Sequence, residues 1–262
     1  MQQDTVCKTV RQYSSDTLSQ EEMEMLREVA EDYRRVKNYV YERYGGKGGL
    51  SKIYPGYTVQ NEMTKSGLRT ELGLPSVYFY LAVFEALGDI KAQWTCTKTK
   101  IQKLLAQNRN LTEEEKHYIR FLLKVPNAFD AVVNRKEICL ARELQKKHDA
   151  LAEKVNAGKL WSYLCRQVRK YHVRQLYSEA AAGFSATERA YRYGDHGIYI
   201  STKQNRKRVF VPLTDNNRYE SQIYVRLLPE RGRLEISVPI QVSVRNHEDY
   251  SNEVGLAVGI FT

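Results

Sequence analysis

Arg166, Arg169, Lys170 and Arg174 are spaced so that Arg169, Lys170 and Arg174 fall three, four and eight residues beyond Arg166. On an α-helix such spacing lines guanidinium and ammonium groups along one flank, where they can follow a row of phosphates. Residues 159–177 contain no Asp or Glu, so the self-repulsion of this row has no internal compensation and favours an anionic partner. A second basic cluster joins Arg189, Arg192 and Lys203 to the run Arg206, Lys207, Arg208, with Tyr191, Tyr193 and Tyr199 interleaved. Aromatic faces stack unpaired bases at about 1–3 kcal/mol each while nearby cations hold the backbone, a combination used by RNA and single-strand readers. The competing reading of this cluster is a solvated hairpin tip with Tyr199 packed on a strand. The whole chain carries 41 Lys and Arg against 31 Asp and Glu, a net charge of +10. Residues 159–210 hold 11 of the basic and 3 of the acidic residues, a surplus of eight, so the charge is local, as a binding surface would make it.

Other chemistries lack their residues. His117, His148, His172, His196 and His247, the acidic run 113–115 and Asp130 form no H-x-x-x-H, H-E-x-x-H or clustered-carboxylate pattern, so no metal site is expected. Cys7, Cys96, Cys139 and Cys165 form no C-x-x-C pair and are expected to be reduced, buried packing residues. There is no P-loop, no G-x-S-x-G and no G-x-G-x-x-G, which removes support for phosphoryl transfer, serine hydrolysis and dinucleotide binding. No window approaches the roughly 18–20 apolar residues of a membrane helix, and the opening residues lack the apolar core of a signal peptide. The expectation is a cytoplasmic protein with no membrane partner and no resident cofactor.

The elements that must position these residues are helical first and β-rich later, within one large or two to three small folding units. Ser19 and Glu22 are spaced as a capping box, and Leu26, Val29, Ala30, Tyr33, Val36 and Val40 follow at helical spacing until the glycines from Gly45 to Gly49. Residues 51–75 read as turns. A second long helix is predicted to bury Val77, Tyr80, Leu81, Phe84, Leu87, Trp94, Ile101 and Leu105, with Gly88 as a weak point. A third opens at Thr112 and Glu115, carries Ile119, Leu122 and Leu123, and stops before Pro126. One or two more helices cover 128–157, and a last one, 159–177, buries Leu160, Leu164, Val168 and Tyr171. From Gly197 the apolar period becomes two, most clearly in Leu234, Ile236, Val238, Ile240, Val242 and Val244. Pro239 interrupts the opposite face and marks an edge or a bulge. The fold class is therefore α+β, a helical lobe followed by an antiparallel meander or small barrel.

The segment Glu253-Val254-Gly255-Leu256-Ala257-Val258-Gly259-Ile260 follows that basic β region and resembles the opening strand of a RuvC-type RNase H nuclease domain. In the TnpB family of transposon-encoded RNA-guided nucleases, relatives of the type V CRISPR effectors, this strand reads V-G-[IL]-D-x-G, and Ala257 stands in the place of the Asp. Arg35-Val36-Lys37-Asn38-Tyr39 is similar to a helix near the N-terminus of that family, with Arg35 and Asn38 three apart. The overall plan is similar as well: residues 5–13, 16–178 and 190–248 match, in order, a first wedge strand, a helical recognition lobe and the remaining strands of a wedge barrel. The resemblance implies boundaries of 1–15 for the wedge strand, 16–178 for the lobe, 179–248 for the β-rich wedge and 249–262 for the start of a RuvC-like domain. It implies guide RNA and target DNA as partners, in a nuclease-deficient, transposase-associated protein of an insertion sequence. Magnesium is expected only in an intact relative, because Ala257 offers no carboxylate and the sequence to Thr262 does not reach the later Glu and Asp, so no catalytic residue is assigned. Arg35 and Asn38 then join the two basic clusters as nucleic-acid-binding candidates. The alternative expectation is a structural or interaction protein whose basic surface only aids solubility.

Overall fold

The computed structural model describes residues 5–54, 56–172 and 175–243. Strand β1 (Thr5–Tyr13) leads into α1 (Gln20–Tyr44), whose start is fixed by the predicted capping box: the Glu22 N–H donates to Ser19 Oγ at 3.3 Å and the Ser19 N–H to Glu22 Oε2 at 3.0 Å. Leu26, Val29, Ala30, Tyr33, Val36 and Val40 form one buried stripe on α1. Most of the stretch 51–75, expected as turns, instead falls in three short helices, α2 (Leu50–Ile53), α3 (Tyr57–Lys65) and α4 (Leu68–Leu72). Each is too short for a 3.6-residue period to show, and Gly56, Gly67 and Gly73 separate them at φ values of 93°, 75° and 61°.

Helix α5 (Ser76–Gln107) packs along α1 and buries Leu87, Trp94, Ile101 and Leu105 of the predicted stripe, but in its first turns the buried face is rotated from the predicted one. Tyr78, Phe79, Ala82, Val83, Ala86, Leu87 and Ile90 face inward, while Val77, Tyr80 and Leu81 are half-buried and Phe84 is 48% exposed. The inward face carries Tyr78, Phe79, Val83 and Ile90 together with Ala82 and Ala86, an apolar set at least as large as that of Val77, Tyr80, Leu81 and Phe84. Helix α6 (Glu113–Lys124) opens with the second predicted capping box, Thr112 and Glu115. Pro126 ends it and occupies the first turn of α7 (Pro126–Val133), where its missing N–H costs nothing. Helix α8 (Arg142–Ala152) and helix α9 (Ala157–Tyr171) complete the helical part. Helix α9 does not reach residue 177 as predicted. His172 leaves the helical region at φ −106°, ψ 60°, its ring stacked on Trp94 with centroids 3.5 Å apart. Val173 and Arg174 lie outside the described residues.

The remaining strands are β2 (Gly183–Ala186), β3 (Tyr191–Gly194), β4 (Gly197–Ser201), β5 (Arg208–Pro212), β6 (Ile223–Leu228) and β7 (Arg233–Ser243). They form two antiparallel sheets, ordered β1-β7-β6-β2 and β3-β4-β5, and not the closed barrel that was one of the two expectations. The sheets meet at a single bridge, Ser14 to Leu213, so β1 and β2 remain edges of the larger one. Strand β1 pairs with β7 from Thr5↔Ser243 to Tyr13↔Glu235, and the helices lie in the sequence between these two neighbours. Strand β6 pairs only with the first half of β7, from Ser237 to Arg233. Pro239 therefore sits where β7 has lost that partner. Its carbonyl accepts from Ser221 Oγ at 3.4 Å on the β6 side, and because a strand residue's N–H and C=O point the same way, its missing donor breaks no bond to β1. Val244, which the period-two pattern included, lies outside the described residues, as does the whole of 249–262.

Helices and sheets share one continuous apolar core. Tyr78 packs edge-on against Phe184 with centroids 5.2 Å apart and donates its hydroxyl to Ser201 O at 2.7 Å. The cysteines are free, but Cys7, Cys96 and Cys139 are exposed and Cys165 is half-buried, in contrast to the buried packing expected of them. Among the described residues, no helix is long and apolar enough to cross a membrane.

Candidate nucleic-acid interface

Helix α9 buries Leu160, Leu164 and Val168 against α5, α6 and α7, which fixes the opposite flank toward solvent. There Lys159, Arg166 and Arg169 face Arg135, at the end of α7, across a groove of about 710 Å³. Val132, Cys165 and Trp161 contribute apolar surface to it. A smaller cavity of about 250 Å³, also lined by Arg135 and Arg169, adds Lys47. The Lys47 turn is tied to α7 because Asn134 Nδ2 lies 2.9 Å from both Lys47 O and Asp130 Oδ1, donating one hydrogen to each. Lys47, Arg135, Lys159, Arg166 and Arg169 make no ion pair among the described residues, and no carboxylate lines either cavity. Lys170 does not line the groove; its ammonium lies 5.5 Å from the Tyr171 ring. The predicted row is thus split: Arg166 and Arg169 share a groove, Lys170 sits beside it, and Arg174 is not described.

The second cluster is also divided by the fold. Lys203 is neutralised, with its ammonium on the buried carboxylate of Asp32, and Lys207 reaches Glu21 Oε1 at 3.0 Å. These two ion pairs seat the β4–β5 tip on α1. Arg206, at φ 61°, and Arg208 line a cavity of about 440 Å³ with Arg69, and these three make no ion pair among the described residues. On the outer face of β3-β4-β5, Arg192 pairs with Tyr199 and Tyr199 with Phe210, so a guanidinium and two aromatic rings form one cross-strand row. The two rings are 41% and 37% exposed. Phe210 lies on Gly197, where any Cβ would collide with its Cζ. Tyr191 and Tyr193, predicted to stack bases, point into the protein. Tyr191 donates to Ser221 O at 2.6 Å and Tyr193 to Gln12 Oε1 at 2.6 Å, and burial pushes both phenols up. Arg189 is apart from this row, lining a groove with Phe84 and Glu188.

Arg35 and Asn38 are not a pair at the surface. The Asn38 amide faces the backbone of Ser178, accepting its N–H at 2.8 Å and donating to its O at 3.0 Å, while the Arg35 side chain is 63% exposed with Nη1 3.4 Å from Asp32. With Arg34 Nη1 3.4 Å from Ser178 O, Asn38 clamps the segment that carries the chain from the helices to β2.

Lys47, Arg69, Arg135, Lys159, Trp161 and Phe210 were not singled out by sequence reasoning. Lys47 stands among glycines and Arg135 follows an apolar helix, so neither belongs to a local charge pattern. Only the strand alternation that exposes Phe210 with Tyr199 was a usable signal. Ala257, the position likened to the catalytic Asp, lies outside the described residues. No model of a known protein family matches the chain and no curated protein matches it, so a functional reading rests on this geometry and on the sequence pattern.

Proposed function

We propose that this protein holds nucleic acid by its phosphate backbone, as a TnpB-like module that grips guide RNA and contacts target DNA while base pairing supplies the sequence. The observation that carries the reading is the groove between α7 and α9. Lys47, Arg135, Lys159, Arg166 and Arg169 gather around it without a lining carboxylate and without an ion pair among the described residues. A polyanion relieves the repulsion among such cations and releases its own counterions on binding. The layout supports the TnpB-like form of the reading, because β1 and β7 are neighbours in one sheet with the helices inserted between them. In this reading the chain holds but does not cut, since Ala257 stands where that family carries a metal-binding Asp and a methyl group cannot coordinate magnesium.

The test is binding of the purified protein to a structured RNA over a series of salt concentrations. Replacing Lys47, Arg135, Arg166 and Arg169 together by Gln should lower the slope of log K against log salt by up to about 3–4, at roughly 0.7–0.9 for each phosphate that is no longer neutralised. Absence of RNA binding at low salt, or a slope that the four changes leave untouched, overturns the reading.

A further inference from the structure

The groove has a floor as well as a rim, and backbone binding uses only the rim. Arg135, Lys159, Arg166 and Arg169 provide the cations, whereas Val132, Cys165 and Trp161 present apolar surface between them. A duplex offers phosphates and keeps its bases stacked inside, so it cannot cover that floor. A strand with an unpaired nucleotide offers phosphate and an aromatic face together. The volume of about 710 Å³ lies within the roughly 300–1,000 Å³ common for small-ligand sites.

Trp161 is held for this role by a chain of hydrogen bonds behind it. Its Nε1–H donates to Tyr118 Oη at 2.8 Å, Tyr118 Oη lies 3.1 Å from His148 Nε2, and His148 Nδ1 lies 2.9 Å from Asp149 Oδ1. An ionised carboxylate only accepts, so Nδ1 of a neutral His148 carries the hydrogen and Nε2 accepts from the Tyr118 hydroxyl. The His148 hydrogen bond in turn holds the Asp149 carboxyl below the usual carboxylate range. Tyr118 is fully buried, so its hydroxyl, held by His148 from behind, serves to orient the indole. An aromatic group fixed in advance loses little conformational entropy on binding.

We infer that the α7–α9 groove is a site for an unpaired nucleotide, with the base on Trp161 and the flanking phosphates on Arg135, Arg166 and Arg169. This rests on the backbone-binding reading above and narrows its ligand to single-stranded nucleic acid at this groove. Two features make it testable. Trp94 is fully buried, so of the two tryptophans only Trp161 can report contact with a base. Gly158 lines the groove with ordinary contact distance, 3.9 Å to Asn156 Oδ1, as the nearest approach for an added Cβ. Gly158→Leu therefore fills the floor without removing a charge.

The full chain is titrated with a short single-stranded oligouridine and with duplex RNA of equal length, following binding and tryptophan fluorescence. The expected result is a preference of roughly tenfold for the single strand, quenching of Trp161 by it, and loss of both in Gly158→Leu with duplex binding retained. Trp161→Phe, which keeps a ring but not the indole, should retain most of the preference and lose the fluorescence change. Equal binding of the two RNAs, or a preference that Gly158→Leu leaves intact, overturns the inference while backbone binding stands. Binding of neither RNA overturns both.

Discussion

Removing one partner of the Asp32–Lys203 ion pair should have a cost that depends strongly on which partner goes. The Asp32 side chain is 5% exposed and that of Lys203 25%. In Lys203→Met the carboxylate stays enclosed with only the Arg35 guanidinium, 3.4 Å away and largely in water, to compensate it. The cost should approach the lower end of the range for breaking a buried pair, about 3 kcal/mol. In Asp32→Leu the stranded ammonium can turn outward on its flexible stem, so the cost should be nearer 1–2 kcal/mol. The double variant removes both charges and should be more stable than Lys203→Met alone, by roughly 1–2 kcal/mol. Urea unfolding of the four proteins, read as midpoints at constant slope, measures each quantity. Thermal midpoints should follow at about 2–4 °C per kcal/mol. Lys203→Met milder than Asp32→Leu, or a double variant equal to the sum of the two, would refute the argument that burial of the carboxylate sets the energetics.

Asn38→Ala removes two hydrogen bonds to Ser178 and should cost about 2 kcal/mol. RNA affinity of the folded fraction should be unchanged, and a selective loss of affinity without loss of stability would return Asn38 to the interface. For His172, burial lowers the imidazole pKa from its ordinary value, so the neutral ring is the form the fold favours. Stability should be full above about pH 6.5, the unfolded value, and fall as pH drops from there through the depressed folded value. His172→Phe, which can keep a ring on Trp94, should flatten that part of the urea-midpoint profile, and an identical profile would assign the loss to other groups.

What could be read from the sequence was whatever repeats over several turns. Two capping boxes and the stripe from Leu26 to Val40 defined α1 and α6, and the unbroken alternation from Leu234 to Val242 defined β7, because each has a period and a start signal. The short helices α2 to α4 have neither. In α5 apolar residues occur on more than one face, so sequence alone could not say that Ala82 and Ala86, not Phe84, mark the packed side. The site was legible only as charge. Which cations remain free was decided by partners distant in sequence, Asp32 for Lys203 and Glu21 for Lys207. Tyr191 and Tyr193 were misread because alternation in β3 gives two possible faces, and Arg192, not the tyrosines, took the outer one.

The pairing of β1 with β7 gives this chain an order of assembly. Val10 faces Val238, so β1 meets β7, its ladder partner among the described residues, only after the intervening helices and strands have been made. At about 5–20 residues per second that interval is on the order of ten to fifty seconds. Helices α1 to α9 can collapse on local contacts in far less time, and their folding draws the two ends of the sheet together before the pair can form. Until then both sides of β1 are unpaired and the strand, carrying Val6 and Val10, is available to another nascent chain as readily as to its own. Synthesis rate and early chaperone cover, more than final stability, then govern how much of the protein reaches this topology.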